Sequence, residues 1–245
     1  MRQTALPRRL ARIRLVSPER DLIERLDRVE VARGTLRYAA TSAPDEEGAR
    51  RLVARLRRAA PELEHDLRLV EDDRPELIAP RLAALARGRG VSLVARALAE
   101  RRVALPLAFT WRKEERPPPR RIPRLRIGPI LGYPRCCVRF EEARRAAIVR
   151  AEAEGMLETW RPRSVADVLR AIDERRPFLC DEVGDEAGRI ERLRRFPFVS
   201  YVPCPRCCER GAAGAAGRDD ERRRKLARGI SAALEKKIES LRGHQ

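Results

Sequence analysis

The tetrapeptide Pro-Arg-Cys-Cys occurs twice, at 134–137 and at 205–208, and it constrains this chain more than any other feature. Five of the six cysteines (Cys136, Cys137, Cys204, Cys207 and Cys208) fall in two tight groups, with Cys180 between them. Thiols placed this way are expected to converge in the fold. Three chemistries would bring them together. A disulfide framework requires an oxidising compartment, and neighbours such as Cys136 and Cys137 cannot bridge each other without strain. A redox dithiol is compatible with Cys204-Pro-Arg-Cys207, where one thiolate attacks and the other resolves. That reading expects a strand leading into a helix at the motif, and Gly211–Gly217 is a poor continuation for such a helix. Metal ligation is the third and the leading expectation. C-x-x-C sets two sulfurs on one tight turn, and Cys136 and Cys137, at a helix start after Pro134, supply the second pair. Zinc and an iron–sulfur cluster remain open alternatives. Cys180 and Cys208 are candidate further ligands. His65 and His244 lie far from both groups in sequence.

The fold class expected is α+β and predominantly helical: a small mixed N-terminal region followed by a helical cysteine-motif domain. Residues 1–110 form the mixed region, with β-leaning runs at 11–16, 34–39 and 103–110. A helix over 46–60 places Leu52, Val53, Leu56 and Ala59 on one face, and further helices are expected over 76–87 and 91–101. Residues 111–126 contain three consecutive prolines and read as a basic, extended linker or an arm laid over a surface. The cysteine-motif domain spans 127–210, with helices from about Cys136 to Gly155 and from Ser164 to Pro177. The segment 195–204 is expected to be extended. Gly211-Ala-Ala-Gly-Ala-Ala-Gly217 reads as a flexible linker over 211–218. A C-terminal amphipathic helix over 219–243 carries Leu226, Ile230, Leu234, Ile238 and Leu241 in one stripe, which is expected to dock on the body.

The net charge of +18 is patchy. Only four of the 55 basic residues are lysine. Segments 41–100 and 181–210 balance, whereas 101–130 carries a large excess of arginine. Nucleic acid or another phosphate-bearing ligand is the partner such a strip would draw, through the basic segment 112–126. No apolar run is long enough for a membrane span or a signal peptide, so a cytoplasmic protein with no membrane partner is expected.

The segments Leu131-Gly-Tyr-Pro-Arg-Cys-Cys-Val-Arg-Phe140 and Val202-Pro-Cys-Pro-Arg-Cys207 resemble the prokaryotic family catalogued as domain of unknown function 483, which carries GYPxCCVxxF and PCxxC motifs. The likeness covers about residues 125–210. It implies that Cys136, Cys137, Cys204 and Cys207 form the functional set and that Gly132, Tyr133 and Pro134 shape the first turn. It implies no activity. Arg206 and Cys208 depart from the small polar residues expected there. A weaker likeness is to the CCG modules of disulfide-reducing enzymes, although Val138 replaces the glycine.

Three functional classes follow. One is a cysteine-ligated metal protein holding zinc or an iron–sulfur cluster. The others are a thiol-disulfide redox protein using Cys204 and Cys207, and a zinc-stabilised nucleic-acid-binding module. Phosphate-loop, dinucleotide-binding, zinc-protease and serine-hydrolase motifs are absent from the sequence. The acidic runs at 45–47 and 71–73 read as helix-start or loop charges. Asp181, Glu182, Asp185 and Glu186 flank Cys180 without a selecting pattern. Tyr133 and Tyr201 are expected to pack over the cysteines.

Overall fold

The computed structural model describes residues 18–71, 104–160 and 185–243. Eight α-helices and one four-stranded sheet make up the described fold, so it is α+β and predominantly helical. Helix α1 (Pro18–Ala32) leads into β1 (Tyr38–Ser42). Then come α2 (Glu46–Ala59), β2 (Leu63–Glu71) and β3 (Leu105–Arg112). A short strand β4 (Arg121–Pro123) runs directly into α3 (Arg124–Ile130). The cysteine-bearing half consists of α4 (Arg135–Trp160), α5 (Glu186–Arg195), α6 (Pro205–Arg210), α7 (Ala215–Ile230) and α8 (Ala232–Gly243).

The sheet order is β1-β3-β2-β4, with β3 antiparallel to both neighbours and β4 parallel to β2. The two-residue period of β3 sorts its side chains between two cores. Leu107, Phe109 and Trp111 point to one face with Val70 and Ile122, covered by Ile127, Ile130 and Leu131. Ala108 points to the other face, where Leu22, Leu26 and Val29 of α1 meet Leu52, Val53 and Leu56 of α2. Asp45 caps α2 by accepting from Gly48 N at 2.6 Å, which fixes the helix start that the sequence signals.

Leu226, Ala227 and Ile238 belong to the same core as α1 and α2. The apolar stripe of the C-terminal segment therefore docks on the body. It does so as two helices, because extended backbone at Ser231 (φ −168°, ψ 130°) breaks the rod. The helix also begins before Asp219, at Ala215, so the Gly/Ala repeat is a folded corner rather than a flexible linker. Its glycines are there for close approach. A Cβ at Gly217 would lie 2.2 Å from Gly211 O, and one at Gly214 would lie 2.8 Å from Cys207 O. Gly217→Ala is expected to cost about 1–3 kcal/mol by overpacking. Gly229→Ala, with open space around it, should stabilise by about 0.5–1 kcal/mol. Urea titration of both variants separates the two effects.

The Pro-rich stretch also departs from a solvated connector. Tyr38 Oη donates to Arg116 O at 2.7 Å, Arg68 Nε to Pro118 O at 2.9 Å, and Leu69 N to Arg120 O at 3.0 Å. Proline removes donors but leaves carbonyls, and these carbonyls are what the sheet edge holds. Segment 196–204 forms turns and coil with no ladder pairing. The expected elements at 11–16, 76–87, 91–101 and 164–177 lie outside the described residues, as do Cys180 and His244.

His65 is buried on β2. Its Nε2 faces Ala60 O at 3.0 Å, and its Nδ1 faces Thr110 Oγ1 at 3.0 Å. The carbonyl can only accept, so Nε2 carries the proton and Nδ1 accepts from the threonine. Burial pushes the imidazole below its ordinary 6.5. The Ala60 carbonyl opposes this, as does Glu64, while Arg28 and Arg57 add to it. The unfolded chain therefore takes up the extra proton first. This contribution is complete above about pH 6.5 and is lost as pH falls below it, by up to about 1.4 kcal/mol per pH unit. Urea midpoints measured from pH 7.5 to 5 should fall in the native protein and fall less in His65→Gln.

Candidate metal centre

Two local structures build the site. The first is the turn ahead of α4. Gly132 takes φ 75°, a left-handed conformation that favours glycine. The turn closes through Gly132 N to Pro129 O at 3.2 Å and Tyr133 N to Gly128 O at 3.0 Å. Cys137 N and Val138 N then donate to Pro134 O, so Cys136 and Cys137 sit on the first turn of α4. The second is the C-x-x-C turn. Cys204 is the N-cap of α6, Pro205 opens that helix, and Cys207 N and Cys208 N both donate to Cys204 O.

The sulfurs of Cys136, Cys137, Cys204 and Cys207 all lie within 4.8 Å of one another. Cys136 Sγ is 3.9 Å from Cys137 Sγ and 3.6 Å from Cys207 Sγ, and Cys137 Sγ is 3.7 Å from Cys207 Sγ. None of the four is in a disulfide. Cys137, Cys204 and Cys207 are buried and Cys136 is half-buried. The two sequence clusters thus converge, within reach of a bound metal. Adjacent cysteines achieve this because side chains one residue apart on a helix turn diverge by only about 100°, and Cys207 of the C-x-x-C turn approaches both of their sulfurs. Cys208, half-buried, stands outside the tetrad, and the charges of Arg192 and Arg195 reach its thiol.

Backbone amides supply the surrounding hydrogen bonds. Cys204 N donates to Cys137 Sγ at 3.4 Å, and Ala216 N donates to the sulfur of Cys207. Burial pushes the thiols of Cys137 and Cys204 up. Burial opposes ionisation at Cys207 too. There the Ala216 amide and the thiols of Cys136, Cys137 and Cys204 outweigh it and hold Cys207 below the ordinary thiol range. Ala216 can reach this sulfur only because Gly214 and Gly217 let the start of α7 approach the cysteine turn.

Tyr133 and Tyr201 pack over the site with ring centroids 5.0 Å apart. Tyr201 Oη donates to Asp219 Oδ2 at 2.6 Å, and burial drives both phenols well above their ordinary range. Both rings are packing groups here. A cavity of about 380 Å³ lined by Tyr133, Cys137, Val138, Leu193 and Tyr201 lies beside the tetrad at Cys137.

Three residues that sequence reasoning missed hold the segment between the cysteine clusters. Asp220 accepts from Phe198 N at 2.8 Å, Arg223 donates to Phe198 O at 3.1 Å, and Asp219 takes Tyr201. Arg223 also pairs with Asp27 at 2.5 Å and with Glu30 at 3.0 Å on α1. In the sequence these residues are indistinguishable from the other charges of an arginine-rich helix. Asp185, one of the acids near Cys180, caps α5 by accepting from Gly188 N at 3.2 Å and pairs with Arg192. Glu46 and Glu47 pair one turn on with Arg50 and Arg51. No helix among the described residues is long and apolar enough to cross a membrane.

No protein-family model matches the chain, no curated protein is significantly similar to it, and no solved structure matches its fold.

Proposed function

We propose that Cys136, Cys137, Cys204 and Cys207 hold one zinc ion as a structural centre, and that the protein is a zinc-stabilised binding protein. The observation carrying this reading is the sulfur spacing. Tetrahedral ligands at a Zn–S distance of about 2.3 Å lie about 3.8 Å apart; three of the sulfur pairs are 3.6, 3.7 and 3.9 Å apart, and all four sulfurs lie within 4.8 Å of one another. An iron–sulfur cluster interposes several irons and sulfides and spreads its cysteines farther. Four thiolates also close the coordination shell, which is the arrangement of structural rather than catalytic zinc. Bound zinc would tie the start of α4 to the loop before α6, across the contact already made by Tyr133 with Tyr201 and by Cys204 N with Cys137 Sγ. The resemblance to domain of unknown function 483 fits this reading, since its motif residues include the four cysteines and the Gly132–Pro134 turn.

Purification without added metal under anaerobic conditions tests the proposal. About one zinc per chain and no visible colour is the expected result. A brown protein absorbing near ~400 nm would replace zinc by a cluster. A metal-free protein with a reversible Cys204–Cys207 disulfide would overturn both and leave the redox dithiol.

A further inference from the structure

The basic excess of the chain is not spread evenly over ion pairs. On α2, Arg50 and Arg51 pair with Glu46 and Glu47 one turn earlier. On α7, Lys225 pairs with Glu221, Arg224 with Glu239 and Arg228 with Glu235. The stretch from Lys113 to Arg139 is different. Its only acids are Glu114 and Glu115, and both are taken by arginines outside it: Glu114 by Arg112, Glu115 by Arg37 and Arg112. Lys113, Arg116, Arg120, Arg126, Arg135 and Arg139 are all exposed. None of them forms an ion pair among the described residues.

The backbone beneath these side chains is fixed. Pro118 and Ile122 are buried while Arg116, Arg120 and Arg121 are exposed. The carbonyls of Arg116, Pro118 and Arg120 are each held by the sheet, and Ile122 pairs in register with Val70. The strip continues through exposed Leu125 and Arg126 on α3. Beyond the Gly132 turn, Arg135 and Arg139 stand one helical turn apart on α4 and share a face. Five of the six unpaired bases are arginine, whose planar fork matches phosphate oxygens. Their side chains pay little further ordering of the main chain on binding, since the arm is already docked.

We propose that this strip, from Lys113 along β4 and α3 to Arg139, binds the phosphodiester backbone of a nucleic acid. The contact is to phosphates, so it carries little base specificity and depends steeply on salt. The strip does not depend on which metal the four cysteines hold, so it stands if zinc is not bound.

The test uses the full chain as purified, with its metal. Fluorescence anisotropy is measured with labelled mixed-sequence probes of roughly 20 nucleotides: single-stranded RNA, single-stranded DNA and a DNA duplex, at about 50–200 mM salt. Two triple variants remove equal charge: Arg116→Ala/Arg120→Ala/Arg126→Ala in the strip, and Arg50→Ala/Arg51→Ala/Arg58→Ala on α2. With each phosphate contact contributing about 0.7–0.9 to the slope of log K against log salt, the strip variant should lower that slope by about 2. Its affinity should drop at least about tenfold at the low-salt end. The α2 variant should bind almost as the native protein does. Whichever probe binds most tightly identifies the form of nucleic acid. Equal losses in the two variants would reduce the effect to net charge and overturn the proposal. So would no binding to any probe, or binding only to phosphatidylserine vesicles. Metal content and the unfolding midpoint of each variant, unchanged from native, separate a lost contact from a lost fold.

Discussion

Cys207→Ser is expected to leave the protein with background zinc and without a cooperatively folded cysteine core. Cys207 Sγ lies 3.6 Å from Cys136 Sγ and 3.7 Å from Cys137 Sγ, and the Ala216 amide is directed at it. Losing a partner outside the ligand shell already costs about 10–100-fold in metal affinity, so losing a ligand should cost more. Structural zinc contributes about 10–16 kcal/mol of apparent binding free energy that the unfolded chain does not recover. Metal analysis after dialysis, with near-ultraviolet circular dichroism reporting Tyr133 and Tyr201, gives the readout. Cys208→Ser is the matched control and should keep its metal and its midpoint. If Cys207→Ser retained one zinc per chain, or Cys208→Ser lost it, the four-sulfur assignment would fail.

The second large effect is expected at Arg223→Met. Arg223 is 3% exposed and pairs with Asp27 and Glu30, themselves buried on α1, while holding Phe198 O beside the cysteine turn. Removing the guanidinium takes the ion pair from Asp27 and leaves Glu30 with Arg222 as its remaining arginine partner, at a cost of about 3–5 kcal/mol. Much of that penalty is the stranded charge rather than the lost attraction. Arg223→Met combined with Asp27→Leu and Glu30→Leu should therefore recover most of the loss in urea denaturation. Arg222 would then keep Asp219, 3.2 Å away. A triple variant as unstable as the single one would show instead that the Phe198 contact dominates.

The same network explains what the sequence left unread. Helix α1 buries Asp27, Arg28 and Glu30 beside Leu26 and Val29, so its buried face is part charge and its apolar period is masked. Strand β2 hides similarly: His65 and Arg68 are buried through hydrogen bonds to Thr110 and Ala60 O and to Pro118 O. Helix α2 was legible because its inward positions are Leu52, Val53 and Leu56 and its cap is Asp45. Of the two readings of the Pro-rich stretch, linker or arm, the arm laid on a surface is the one seen, because at Pro118 a carbonyl is left for Arg68 to hold. The Gly/Ala repeat departs from a flexible linker because Gly214 and Gly217 let helices close on the cysteine turn.

By itself the sequence determined the two cysteine clusters from which the tetrad is drawn. Spacing within each pair is local, and a C-x-x-C turn and a Cys-Cys at a helix start bring their own sulfurs near one point wherever the chain places them. Only the tertiary structure decided how close the two pairs come, which puts all four sulfurs within 4.8 Å of one another. It also decided that Cys208 points elsewhere and that a run of prolines is an anchored basic edge. Those outcomes depend on contacts between residues far apart in the chain, such as Arg223 with Phe198 and Asp27, whose charges read in sequence like any solvated face.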